Sequence, residues 1–235
     1  MTSTLSAIEE RVLIALATVR DPELDEPITA LGFVASCTVA DDGHVAVRLR
    51  LPTYFCAPNF AFLMVADAFD AVSATEGVRG VDVALLDHFA GEQINAGVAA
   101  RAGFVNSFAG EAAAELDQLR ADFLRKAVMA GTDVVCRPLA AQGRTPAELA
   151  ALTLGQVPDS AELARLRRRR AELGLPSGAH APLVIDPVTG GAVAVEELPL
   201  HLRKARLTKV GIDANTGICR GMLGHRYPEA KENSE

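Results

Sequence analysis

Two short stretches of this chain hold residue types that do chemistry when they are brought together. Asp21-Pro22-Glu23-Leu24-Asp25-Glu26-Pro27 sets one carboxylate before and three between two prolines, and Pro52-Thr53-Tyr54-Phe55-Cys56-Ala57-Pro58 sets one thiol three residues after the Thr53 hydroxyl. A soft thiolate beside hard carboxylate oxygens is a donor set for a transition metal. The candidate metal ligands are therefore Cys56, Asp21 and Glu23, with Thr53 supporting the cysteine through its hydroxyl. The alternative for Cys56 is an inert thiol packed as a small hydrophobe. For Asp21 and Glu23 it is the turn-forming chemistry that Asp-Pro performs routinely.

The elements that must position these residues follow from periodicity. Leu5, Ile8, Val12, Ala15, Leu16 and Val19 recur at helical spacing, which predicts a helix over 4–19 with Thr4 or Ser6 as its cap. That helix stops at Asp21-Pro22, because the residue before proline is pushed out of the helical region, and Pro27 repeats the interruption. Strands are expected over 33–40 and 44–51, joined through Asp41-Asp42-Gly43, with Val45, Val47, Leu49 and Leu51 on one buried face. A helix over 59–75 and a strand over 81–86 complete an α-β-β-α-β order. Cys56 then lies in the strand-to-helix loop, where the free N–H groups and macrodipole of a helix start favour thiolate. Cys37 falls inside a strand and is read as packing.

On Asp21, Pro22, Glu23, Leu31, Gly32, Val34, Thr53 and Cys56, the chain resembles the metal-sulfur cluster assembly factor family, the PaaD-like and SufT-like iron-sulfur assembly domains. The resemblance covers about residues 5–90. It departs from the family's Gly-Cys-Pro pattern in that Phe55 precedes the cysteine and Pro58 comes one residue late. The resemblance implies a small α+β domain whose cysteine handles iron or an iron-sulfur cluster transiently. Long versions of this domain with alanine- and arginine-rich extensions resemble accessory proteins of soluble di-iron monooxygenases. A hydroxylase of that kind is the client it implies.

Composition bounds these readings. With 235 residues, 49% of them apolar, the chain can bury one large or two small cores. A net charge of −7 argues against nucleic acid as a partner, since phosphate neutralisation needs clustered Lys and Arg. No run approaches the roughly 18 to 20 apolar residues of a membrane span, and no cationic segment precedes an apolar one at the start, so a cytoplasmic protein is expected. Cysteines at 37, 56, 136 and 219 form no Cys-x-x-Cys pair, so neither a self-contained zinc knuckle nor a disulfide scaffold is indicated.

Beyond residue 90 the chain reads as a helical extension over 91–178, then a hairpin and an extended arm over 179–235. Helices are expected over 94–102 and 111–130, over 146–152 with Pro146 at its first position and Glu148 at the capping-box position after Thr145, and one opened by Pro158-Asp159-Ser160 and ending at Gly174. Arg165 and Arg167 to Arg170 read as a solvated face pairing with Glu162 and Glu172. A hairpin is expected over 182–198 around Asp186 to Gly191. Lys209 to Tyr227, rich in glycine, reads with the charged end 228–235 as an arm that orders against a client or a second copy. It carries Cys219 and His225 and follows His201, three metal-capable residues whose spacing matches no recognised site.

Three functions stay open on the sequence. The first is a non-catalytic maturation factor that carries iron or an iron-sulfur unit on Cys56 to a client metalloenzyme. The second is an adaptor or assembly chaperone that binds the client without metal. The third is an enzyme with Cys56 as nucleophile and His44 or His88 as base.

Overall fold

The structure is a computed structural model and describes residues 2–228; the side chains of residues 1–6 and all of residues 229–235 lie outside it, so the Thr4 or Ser6 cap and most of the charged end lie outside the described residues. The chain divides into two units, Met1–Asp117 with Thr216–Glu235, and Gln118–Asn215.

The first unit has the expected α-β-β-α-β order. Helix α1 (Thr2–Leu16) buries Ile8, Val12 and Leu16, three positions four apart that make one face. Strand β1 (Val34–Val39) pairs antiparallel with β2 (His44–Leu49) through a turn in which Gly43 has φ +83. Helix α2 (Pro58–Ser73) then leads to β3 (Gly80–Leu85), which pairs parallel with β2 and gives the sheet order β1-β2-β3. Val45, Val47 and Leu49 face the core with Phe33, Val65, Ala68 and Val72, as strand alternation requires.

Two further helices belong to this unit, α3 (Gly91–Ala99) and a short α4 (Gly103–Ser107) that periodicity alone did not reveal. Asn95 of α3 acts as a strand partner at the sheet edge. Its Oδ1 accepts from the Leu85 amide at 2.8 Å and its Nδ2 donates to the Leu85 carbonyl at 3.1 Å. Gly97 lets α3 and α4 touch, because a Cβ there would lie 1.9 Å from Ser107 Oγ.

The second unit is helical, with a separate core that includes Val128, Leu149, Leu163, Leu166 and Leu183. Its α5 (Asp117–Ala141) passes the expected stop at residue 130, because Val135, Cys136 and Leu139 continue the buried face, and Pro138 is accommodated inside it. Helices α6 (Pro146–Ala151), with the Thr145–Glu148 capping box, and α7 (Ala161–Glu172), capped by Ser160, match the reading. The arginines of α7 are a solvated face only in part: Arg168 is exposed and Arg169 pairs with Glu172 as read, but Arg169 and Arg170 are buried. Arg170 is fully buried and donates to the carbonyls of Pro182 at 2.8 Å and Leu183 at 2.5 Å, and Arg169 is buried against Glu172.

The expected hairpin is reduced to its turn and one antiparallel bridge, and the expected extended arm is corrected. Residues 182–195 contain no named strand, but Ile185 bridges Ala192, the Asp186 amide donates to the Gly191 carbonyl and the Val193 amide to the Val184 carbonyl, while Pro182 bridges Thr153 and the Leu183 amide donates to the Leu152 carbonyl. The presumed arm is helix α8 (Leu198–Arg226), 29 residues long. Burial of Leu198 and Ala205 in the second unit and of Leu223 in the first outweighs the helix cost of its glycines, about 1 kcal/mol each relative to Ala.

Candidate functional site

Strand pairing brings the two chemically interesting stretches to one end of the sheet. Val34 pairs with Leu49, and Leu49 pairs with Leu85. The start of β1 therefore lies beside the C-terminal ends of β2 and β3. The acidic turn, the cysteine loop and the loop after β3 consequently leave the sheet at the same end. In an open sheet the crevice beyond the C-terminal ends of parallel strands is where ligands bind.

The acidic turn is held by its own backbone. Arg20 and Pro27 form an isolated bridge, the Asp25 amide donates to the Asp21 carbonyl, and Asp25 adopts φ +53. One carboxylate oxygen of Asp21 accepts from the amides of Glu23 and Leu24, both at 2.9 Å, so this buried side chain builds the turn. Burial pushes the Asp21 carboxyl above the usual range, and the Glu23 charge adds to that, while the two amide bonds pull the other way.

Cys56 is half-buried and immediately precedes Ala57, the residue that opens α2. Its Sγ lies 3.3 Å from Thr53 Oγ1, a hydrogen bond in which either atom can donate. The loop is pinned to the segment after β3. The Phe89 amide donates to the Tyr54 carbonyl, and His88 reaches the Cys56 carbonyl with Nε2 at 2.7 Å. Because the Ala90 amide donates to His88 Nδ1 at 3.2 Å, the ring proton sits on Nε2 and is given to Cys56. Burial lowers the His88 pKa, and the charge of Arg226 lowers it further, against the hydrogen bond to Cys56, which raises it. The sequence offered His88 as a general base. The structure gives its Nε2 to the cysteine's carbonyl instead, so it positions the loop.

The end of α8 completes this part of the molecule, which no motif indicated. Arg226 donates to the carbonyls of Leu51 at 3.2 Å and Asp87 at 2.5 Å, one on each loop. The Tyr227 hydroxyl donates to Asp87 Oδ2 at 3.0 Å, and the Arg50 guanidinium lies over the Tyr227 ring at 5.0 Å. Cys219 packs half-buried against the same core as Cys56. Burial pushes its thiol up to about 11, and the charges of Asp21, Cys56 and Glu23, which all reach it, push in the same direction.

Next to Cys56 the surface is aromatic. Tyr54 and Phe55 meet edge to face at 5.0 Å, and Phe89 lies 6.0 Å from Phe55. All three are exposed, Phe55 by 76%. Among the described residues no three of His, Cys, Asp and Glu are grouped closely enough to hold a metal ion between them. His201 belongs to the second unit and Cys219 and His225 to the first. Among the described residues no helix is long and apolar enough to cross a membrane.

A family model described as iron-sulfur cluster assembly protein matches residues 9–84. An uncharacterized protein of Methanocaldococcus jannaschii is 34% identical over 87 residues, which are 37% of this chain and 90% of that protein. A crystal structure of a domain of unknown function from Bacillus anthracis is similar with 23% identity and a TM-score of 0.34, over 37% of this chain and 80% of that one.

Proposed function

Since residues 9–84 make this chain a member of the iron-sulfur cluster assembly protein family, we propose that it is a non-catalytic maturation factor that holds iron or an iron-sulfur unit on Cys56 and passes it to a client metalloenzyme. The observation that carries this reading is the mounting of Cys56. Its loop is tied down by His88 and Thr53 at the end of the sheet where the acidic turn also emerges. A carrier must release its cargo, and one well-held soft donor with open positions around it serves release better than a closed four-ligand cage. Asp21 and Glu23 are the hard oxygen donors of this reading. The cargo is iron or an iron-sulfur cluster in transit, and the protein works in the cytoplasm.

The client we propose is the hydroxylase of a di-iron monooxygenase, in keeping with the long helical extension outside the family match. A second reading is an adaptor that binds the client without metal. The exposed Tyr54, Phe55 and Phe89 favour it, because clustered aromatics are what protein interfaces use as anchors.

Anaerobic reconstitution with ferrous iron and sulfide separates the two. The carrier reading expects stoichiometric uptake by the wild-type protein, loss of uptake in Cys56→Ser, and undiminished client binding by that variant. Equal uptake by both proteins, or none by either, leaves the adaptor.

A further inference from the structure

We propose that Tyr54, Phe55 and Phe89 form a docking platform for a positively charged segment of the client, set directly beside Cys56. The inference rests on the reading that this chain binds a client, which the carrier and the adaptor share, and it names the chemistry of the segment that binds.

The three rings are one preorganised cluster. Phe55 lies 5.0 Å from Tyr54 and 6.0 Å from Phe89, and Tyr54 and Phe89 are 6.3 Å apart. Two of the rings come from the cysteine loop and one from the loop after β3, and the Phe89 amide ties the loops together by donating to the Tyr54 carbonyl at 3.2 Å. A fourth ring, the buried imidazole of His88, lies 4.9 Å from Phe89 while its Nε2 holds the Cys56 carbonyl at 2.7 Å. The histidine that positions the cysteine therefore also backs the platform. Tyr54 and Phe89 are each about half exposed and Phe55 is 76% exposed, so the core takes little from them. Clustered exposed aromatics with two side-chain torsions each give a large contact area at low entropic cost, which is what interface anchors need.

Charge selects the occupant. Residues 52–58 carry no Asp, Glu, Lys or Arg, and the exposed charged side chains that flank Phe89 in the chain are Asp87 and Glu92, both acidic. The acidic turn leaves the sheet at the same end. The cations of this region are already engaged: Arg226 bonds the carbonyls of Leu51 and Asp87, and the guanidinium groups of Arg50 and Arg226 lie over the Tyr227 ring at 5.0 and 5.1 Å. Open aromatic faces with an acidic rim suit arginine or lysine, which stack on the rings and pair with the carboxylates. A second copy of the chain fits worse, because a two-fold contact through these rings sets Asp87 and Glu92 of one copy near those of the other, in a chain of net charge −7. Residues 229–235, with Glu229, Glu232 and Glu235 against Lys231, also have the wrong sign.

The test is selection of a random-peptide display library on the reduced full-length protein, followed by fluorescence anisotropy of the enriched peptides with the wild type, Tyr54→Ser, Phe55→Ser, Glu92→Gln and Cys56→Ser. Circular dichroism checks that each variant is folded. The enriched peptides are expected to carry Arg or Lys beside an apolar residue. Phe55→Ser should weaken their binding about thirtyfold, the cost of losing an interface anchor. Glu92→Gln should weaken it about two- to fivefold, a difference that disappears in about 1 M salt, and Cys56→Ser should bind like the wild type. Saturating peptide should also slow alkylation of Cys56 by iodoacetamide. Enrichment of peptides without positive charge, binding that both Tyr54→Ser and Phe55→Ser leave intact, or an unchanged alkylation rate overturns the proposal. Self-association of the wild type in sedimentation, lost in Phe55→Ser, overturns it in favour of a second copy. Iron uptake judges the carrier reading separately: its failure leaves the platform to the adaptor, and failure of the platform leaves iron uptake as it was.

Discussion

At the scale of single residues, the cysteine loop depends on a histidine whose ring holds a backbone carbonyl. His88 gives its one proton to the Cys56 carbonyl, and its lowered pKa means that folding favours the neutral ring. The unfolded chain, with a histidine near 6.5, binds more protons just below that pH than the folded one does. The stability His88 contributes is therefore complete above about pH 6.5 and is lost as the pH falls toward its folded pKa. Thermal melts between pH 7.5 and 5 should show the loss, and His88→Gln should flatten that slope while costing about 1 kcal/mol at pH 7 for the hydrogen bond. His201 shares the direction of shift, so the difference between the two proteins is the informative quantity. Asp21 separates turn-building from metal binding. An asparagine keeps an oxygen for the amides of Glu23 and Leu24 but removes a charge that burial penalises. Asp21→Asn should melt no lower than the wild type at pH 7 and should bind iron more weakly. Unchanged iron affinity would leave Asp21 with the turn alone.

At the scale of elements, α8 is where local sequence and tertiary packing disagree most. Gly211, Gly217 and Gly221 have open space around a built Cβ, so each pays the helix cost of glycine without a packing reason. Changing any one of them to alanine should stabilise the protein by about 1 kcal/mol, or roughly 2–4 °C in melting temperature for a chain of this size. An extended arm would give no such gain. Gly32 should behave in the opposite way. It sits at φ +74 and touches Leu223, so Gly32→Ala should cost about 1–2 kcal/mol or more. Circular dichroism melts of the four variants check both signs. The α7 arginines make the same point about context. Arg170 reads as surface charge in sequence, yet its guanidinium serves two backbone carbonyls in a core, where burial lowers its pKa to about 10.

At the scale of the whole molecule, the first unit is discontinuous, built from residues up to Asp117 and from Thr216 onward. The final turns of α8 supply Leu223 to its core and Arg226 to the loops around Cys56, and Tyr227, the next residue, bonds Asp87. A chain ending at Asn215 should therefore lose stability and open the cysteine loop, so that iodoacetamide alkylates Cys56 faster than in the full-length protein. An unchanged alkylation rate would show that the end of α8 does not cover the loop. This arrangement also means that the segment matched by the family, residues 9–84, is not the whole of the unit that contains it.

The α-β-β-α-β order, the Gly43 turn, the Thr145 capping box and the Ser160 cap were legible in the chain, because each depends on neighbours within a few residues: an alternating face, a positive φ, a side chain reaching one turn ahead. The candidacy of Cys56, Asp21, Glu23 and Thr53 was legible too, from residue type and from family resemblance. Tertiary structure decided the rest. It determined that His88 holds a carbonyl, that Arg170 is buried, that the Leu183 amide goes to the Leu152 carbonyl, and that a glycine-rich tail is a helix ending on the cysteine loop. In each of these the deciding energy comes from contacts between residues distant in sequence. Local propensity, worth at most about 1 kcal/mol per residue outside proline, does not carry that information.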